Sequence, residues 1–296
     1  MPDGEKSYRE FDCALSVPYI GSMSANQVHV GRMVRWLIAG SLLGLTGCGE
    51  EPDEILLDTL PIIIGVDEYN FTYGEEPSVT EISVYLSTER TFGCFNLTID
   101  ASLEKQGNFL TLRLYSIGVQ GGKCATLVGP ATHRSSLDIQ AGDYVLNIVS
   151  ADDTDSYSLV ISDSLIHLFP IEASFTTVNY PKVYRYPERS FAYTCGTLTE
   201  NSWLCDAFGD SLETFLALEP HFFADTSAAW PYVRSSDGHY YDAPARYYRY
   251  LSAASFDSAG VLLQQFTETT IMQYSLGTSL ELNNWKGEYF YSWLFN

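Results

Sequence analysis

The chain has 296 residues, 46% of them hydrophobic, with 16 Lys+Arg against 37 Asp+Glu and a net charge of −21. That length is enough for more than one compact unit. The acid excess argues against nucleic acid, whose phosphates require clustered cations, and against electrostatic adsorption to anionic lipid, while it suits a protein kept soluble in salty surroundings.

Residues 1–31 carry no pattern of a fold. Arg32 and Arg35 then lead into an apolar run over 36–45, which closes on Leu45, Thr46, Gly47 and Cys48. Charge, apolar core and small residues in that order make a secretory signal. A membrane span needs about 20 apolar residues, and this run is about half as long, broken by Gly40, Ser41 and Gly44. A buried core helix fits the length but leaves the order of features as coincidence. The four closing residues resemble the lipobox of bacterial lipoproteins. That resemblance implies cleavage before Cys48 and lipidation of its thiol, with the membrane as partner through the acyl chains. A leader of 47 residues exceeds the usual range of about 15–30, so the start at Met1 is expected to be over-extended, with Met23 and Met33 as better starts. Cys13 and His29 would then be absent from the mature protein.

Beyond Cys48 the chain keeps 12 Lys+Arg and 33 Asp+Glu, so acyl chains, at about 0.8 kcal/mol per buried CH₂, have to supply the anchorage. Residues 48–60 open with Gly49, Glu50, Glu51, Pro52, Asp53 and Glu54, too polar to bury a face and expected to act as a tether. Gly49 stands where many Gram-negative lipoproteins retained at the inner membrane have Asp. The early acidic pair resembles the surface-export signal of lipoproteins in the Bacteroidota. Both point to the outer membrane of a Gram-negative cell, with the periplasmic and surface faces left open.

The remaining cysteines are Cys94, Cys124, Cys195 and Cys205. An even number in an exported chain reads as disulfides. Three connectivities are open, and the local one, Cys94 with Cys124 and Cys195 with Cys205, is simplest. No C-x-x-C or zinc spacing is present.

Residues 61–169 read as a β-sandwich of immunoglobulin-like or jelly-roll-like type. Apolar residues alternate at Ile82, Val84 and Leu86, at Phe95, Leu97 and Ile99, at Leu110, Leu112 and Leu114, at Tyr144, Leu146 and Ile148, and at Tyr157, Leu159 and Ile161. Turn formers separate them, among them Gly107-Asn108 and Gly121-Gly122. The stretch Leu137-Asp-Ile-Gln-Ala-Gly-Asp-Tyr-Val-Leu-Asn-Ile148 resembles a corner common in bacterial jelly-roll and immunoglobulin-like secreted modules. It speaks to fold and not to function. Asp152, Asp153 and Asp155 crowd a connection between two strands and are candidate Ca²⁺ ligands through their oxygens. The EF-hand spacing is absent, and a solvated turn is the plainer reading.

Residues 170–296 hold 13 of the 21 tyrosines and are expected to form a β-rich domain with one short helix. Trp203, Leu204, Phe208, Leu212, Phe215 and Leu216 follow helical spacing after Asn201-Ser202, with Pro220 as a stop. A Cys195–Cys205 bridge would tie this helix to the strand before it. The stretch 248–256 reads as a strand, with Asp257-Ser258-Ala259-Gly260 as a hairpin turn and a returning strand over 261–266. A last strand over 289–296 places Tyr289, Tyr291, Trp293 and Phe295 on one face. That ladder reads as core, because one face of a strand is normally buried. Alternatively it is a platform for sugar or protein. Tyr184 with Tyr186, and Tyr240 and Tyr241 with Tyr247 and Tyr248, are less regular. These six are expected to reach solvent and are the candidate ligand-binding residues.

No nucleophile elbow, H-E-x-x-H, Walker loop or dinucleotide fingerprint occurs. The cluster Asp237-Gly238-His239-Tyr240-Tyr241-Asp242 mixes a base, carboxylates and phenols but lacks a nucleophile. The reading is therefore a non-catalytic envelope lipoprotein that binds glycan or an envelope protein, with no cofactor beyond a structural Ca²⁺. A carboxylate-dependent secreted hydrolase and a structural subunit of an envelope complex are the alternatives.

Overall fold

The structure, a computed structural model, describes residues 60–71, 79–121, 123–232, 241–274 and 277–295. By contacts the chain divides into Met1–Glu50 and Glu51–Asn296, and the described residues belong to the second unit. The signal, Cys48 and the tether up to residue 59 lie outside them.

The protein is mainly β, with one large curled sheet and a second, smaller sheet that carries helices. The large sheet contains β1 (Ile62–Phe71), β2 (Val79–Phe92), β3 (Leu97–Gln106), β4 (Phe109–Val119), β5 (Gly129–Ser136), β6 (Gly142–Ser150), β7 (Asp153–Ile161), β8 (Leu165–Glu172), β9 (Thr176–Val178) and β10 (Lys182–Tyr184). Their order is β10-β8-β7-β6-β4-β3-β5-β2-β1-β9. Period-two alternation sends every second side chain to one face. Ile62, Ile64, Val84, Leu86, Leu110, Leu112, Leu146, Ile148, Tyr157 and Leu159 thereby form one fully buried core. Each such side chain contributes about 1.5–3 kcal/mol on burial. Gly107, at φ +60°, turns the β3–β4 hairpin.

The alternating runs lie in β2, β3, β4, β6 and β7, but Phe95 precedes β3 and is 60% exposed. The sheet also runs past the expected boundary at residue 169. β8 lies at one side of the curl, β9 crosses to pair with β1 in parallel, and β10 returns to β8. This strap closes the curl, and it is fastened from within. The Asp155 carboxylate, fully buried, accepts hydrogen bonds from the amides of Ser174, Phe175 and Thr176 and from the hydroxyls of Ser174 and Thr176, at 2.5–3.1 Å. Tyr157 adds a hydroxyl contact to Thr176 at 2.5 Å.

The smaller sheet is antiparallel, in the order β12 (Leu218–Pro220), β13 (Tyr241–Tyr250), β11 (Ser190–Thr197), β14 (Ser279–Asn284), β15 (Tyr289–Tyr291). Helix α1 (Trp203–Phe215) follows the expected spacing, with Leu216 extended behind it. A second helix, α2 (Ala253–Phe266), replaces the expected hairpin and continues through a π-helical turn at Thr267–Ile271. The correction has a simple cause. Phe256, Ala259, Leu263 and Thr267 recur at helical spacing and are buried, whereas Asp257-Ser258-Ala259-Gly260 only mimics a turn. Gly260 is needed because a Cβ there would come within 2.6–2.8 Å of the Phe290 ring. Both helices cover one face of the sheet, around Phe191, Tyr193, Phe208, Leu212, Phe256, Leu280 and Leu282.

The two disulfides are Cys94–Cys124 and Cys195–Cys205, and the second ties β11 to α1. Glu68 of β1 fixes the segment that links the two sheets, its carboxylate accepting from Arg185 Nε at 2.7 Å and from the Tyr186 amide at 2.6 Å. Thr80 of β2 donates to the Trp285 carbonyl at 3.0 Å.

Candidate ligand-binding cleft

Neighbours on β13 point to opposite faces. Tyr248 faces the helices, is 1% exposed, and donates to Glu213 of α1 at 2.7 Å. Burial, reinforced by the Glu213 charge, pushes its phenol far above the ordinary tyrosine range. Tyr247 faces the other way and is 8% exposed. Both depart from the expectation that they reach solvent, because strand alternation in a sheet covered on both faces leaves neither side open.

The face away from the helices is covered by the segment after β12. Phe223 stacks with Trp230 at 5.4 Å between centroids and meets Tyr247 edge-on at 5.2 Å. Tyr184, from the end of β10, packs on Phe223 at 4.9 Å, and Tyr186 packs on Tyr232 at 4.9 Å. Tyr232 stacks on Tyr247 at 5.9 Å. Ring contacts of this kind add about 0.5–1.5 kcal/mol each beyond area burial. Tyr184, Tyr186 and Tyr247 thus belong to one aromatic cluster, and Tyr248 lies beneath it across the sheet. Burial, with the carboxylates of Asp67 and Glu68 nearby, moves the Tyr186 phenol up to about 12.

Two hollows open beside the cluster. One, of about 390 Å³, is walled by Phe223, Trp230, Tyr247, Pro244 and His221, with Glu213 and Arg246 on its polar side. The other, of about 540 Å³, is walled by Tyr184, Tyr186, Asp163, Arg185, Glu188 and Arg249. His221, Phe222 and Phe223 border both, and Phe222, 83% exposed, stands on the divide. An exposed ring of this size, flanked by one mainly apolar hollow and one lined by charged and polar groups, has the make-up of a small-molecule site.

Two of the polar groups here, Arg246 and Arg185, are held by ion pairs. Arg246 reaches Asp206 at 2.7 Å and Asp210 and Glu213 at 3.6 Å, so that one guanidinium draws together three carboxylates of α1. It lies over Gly209, where any side chain would collide with it. Burial, with Arg249 nearby, lowers the pKa of His221, which favours the neutral imidazole. A serine–imidazole contact exists elsewhere: His133 Nε2 meets the Ser135 hydroxyl while Nδ1 meets the Ile99 carbonyl at 3.0 Å. It lies in the large sheet, and the orienting group is a carbonyl, not a carboxylate.

Tyr240 and His239 lie outside the described residues, as does the rest of 237–240, and the side chains of Tyr241 and Asp242 are likewise not described. Of the candidate Ca²⁺ ligands, Asp152 and Asp153 are exposed at the β6–β7 turn, while Asp155 lies within β7 with its carboxylate taken up by the strap. The C-terminal ladder is not core. Tyr289 and Trp293 are 55% and 47% exposed, and Tyr291 joins them at 5.0 and 4.2 Å between centroids. The cause is that β15 ends at Tyr291 and a 3₁₀ turn, Ser292–Phe295, continues the stack outside the sheet. Sequence reasoning missed Phe222, Phe223 and Trp230. Their only signal was aromatic density around Pro220, in a segment with no periodicity.

No protein-family model, curated protein or solved structure matches the chain.

Proposed function

We propose that the chain is a non-catalytic envelope lipoprotein, anchored through acyl chains on Cys48 in the outer membrane of a Gram-negative cell, whose smaller sheet binds a glycan in the cleft around Phe222. The observation that supports binding is the exposed Phe222 ring between two hollows backed by stacked aromatics. Sugar rings present apolar faces and a fringe of hydroxyls. Phe222 offers the first a partner, and Arg249, Asp163, Glu188 and neutral His221 offer the second planar or charged hydrogen-bonding groups.

The test is a glycan array probed with the purified protein, followed by titration of any hit through Trp230 emission. Phe222→Ala is expected to weaken binding about tenfold, since an aromatic contact is worth about 0.5–1.5 kcal/mol beyond area, with an unchanged melting temperature because the ring is already in solvent. A glycan bound equally well by Phe222→Ala rules out this cleft, and an array without hits rules out the glycan. Incorporation of labelled palmitate, abolished by Cys48→Ala, tests the anchor. A second reading, an envelope protein as partner, is favoured by the exposed Tyr289–Tyr291–Trp293 stack on the edge strand β15. Loss of a co-purifying envelope protein in Trp293→Ala, with Phe222→Ala unaffected, would select it.

A further inference from the structure

The end of the large sheet where the chain enters carries a second unusual surface. β1 starts at Ile62, paired with Thr88, and β2 continues four residues further to Phe92. β4 likewise runs five residues past Leu114, where its pairing with β6 ends at Ser150. At about 3.3 Å per residue, the loops after β2 and β4 therefore project roughly 13–17 Å beyond the chain entry and the β6–β7 turn. Cys94–Cys124 staples these loops to each other, and the Phe95 amide donates to the Ala125 carbonyl at 3.2 Å. Phe95, Leu127 and Val128 stand at this tip at 60%, 65% and 71% exposure.

Charge sets the tip apart from the rest of the chain. Residues 90–99 and 105–137 contain no Asp or Glu, although the chain has 37. The charged groups nearest the tip are Arg90 and Lys123, and the carboxylates of the described residues at this end, Glu89, Asp100, Asp152, Asp153 and Glu172, are set back behind it. Exposed apolar side chains beside two cations, with the carboxylates set back, suit a bilayer interface, where phosphates lie above acyl chains.

We infer that this stapled tip rests in the bilayer surface to which Cys48 is anchored, so that the large sheet stands on the membrane and the lipid contact is shared between acyl chains and protein. The inference depends on the anchor proposed above. Eleven residues lie between Cys48 and Leu60, and covalent geometry limits their reach to about 40 Å. The chain enters at the end that bears Phe95, Leu127 and Val128. The opposite end, at the β3–β4 hairpin, is about 33 Å away along ten residues of β3, so turning that end to the membrane would consume nearly the whole reach.

The test uses the full acylated protein in vesicles of phosphatidylethanolamine and phosphatidylcholine that carry a diazirine in the acyl chain. After irradiation, reduction and trypsin digestion, adducts are mapped by mass spectrometry, and the same spectra report whether Cys48 is acylated. Adducts are expected on peptides 91–105 and 124–134 and not on 106–113, which holds the opposite hairpin. Phe95→Asp with Leu127→Asp, its fold checked by circular dichroism, is expected to reduce adducts on 91–105 and 124–134 to the level of 106–113. Acylated Cys48 with adducts absent from the tip, or equal at both ends, overturns the inference and leaves the anchor standing. Unmodified Cys48 overturns the anchor and the inference with it. The native mapping decides even if the double variant fails to fold.

Discussion

Asp155→Ala should be among the most damaging single substitutions in the large sheet, although it touches neither the hydrophobic core nor the cleft. It removes the acceptor for five donors that close the strap, of which the Thr176 amide and hydroxyl are buried and the Ser174 and Phe175 donors partly so. Each buried donor left without a partner costs about 1–3 kcal/mol. Relaxation and entering water re-satisfy some of them, which brings the expected loss to about 3–5 kcal/mol, the range found when a buried charge network loses a member. With about 2–4 °C of melting temperature per kcal/mol for domains of this size, that is roughly 6–20 °C. Asp155→Asn keeps the volume but turns an amide toward groups that are themselves donors, and it should fall between the two. Hydrogen exchange should show the loss first at the amides of residues 174–176. The pH dependence follows from the same bonds. Burial alone would raise the carboxyl, but the Thr176 hydroxyl and the Ser174 and Thr176 amides hold it below the usual carboxylate range. With the folded pKa below the unfolded one, the contribution is complete above about pH 4 and fades as pH falls through the folded value. A denaturant midpoint for Asp155→Ala within about 1 kcal/mol of the parent would refute the reasoning, since one unsatisfied buried donor already costs that much.

Gly260→Ala should destabilise by about 1–2 kcal/mol in urea melts, because crowding the Phe290 ring outweighs the gain of about 1 kcal/mol in helix propensity; a stabilised variant would show that Phe290 yields freely. The buried phenols make the fold sensitive to alkali: Tyr186 is raised to about 12, and burial pushes Tyr193 and Tyr232 up as well. Their protons are lost from the unfolded chain near pH 10 but retained in the native state, so stability should fall as pH rises from about 10 to 12. Ultraviolet titration that ionised all tyrosines near pH 10 without unfolding would contradict this. Asp152→Ala with Asp153→Ala should change stability by no more than about 0.5 kcal/mol, as for ordinary surface positions, with and without Ca²⁺; a Ca²⁺-dependent rise in melting temperature that this pair of changes abolishes would restore the metal site.

The elements legible in the sequence are those whose own side chains carry the period. β2, β4, β6 and β7 carry apolar residues at period two because each turns one face to a single core, and α1 shows its stripe because Leu204, Phe208 and Leu212 are large. α2 was hidden because its buried face uses Ala259 and Gly260, which carry little hydrophobic signal. β9 and β10 were hidden because three residues have no measurable period and their pairing is decided by distant strands. The cleft was half legible. Tyr184, Tyr186, Tyr247 and Tyr248 stood out by composition, but whether each is wall, floor or far side depends on which sheet face it occupies, which tyrosine density does not encode. Phe222 owes its exposure to the chain leaving β12 after Pro220.

The strap has a consequence for how the protein is made. Chains are made N-terminus first, yet Ile62, near the start of the large sheet, acquires its outer neighbour only when Thr176 arrives, more than a hundred positions later. Until residue 178 has been made, the nascent chain holds eight strands with both borders bare, a template for pairing with other chains. A version cut at residue 169 should therefore self-associate instead of yielding a smaller soluble domain.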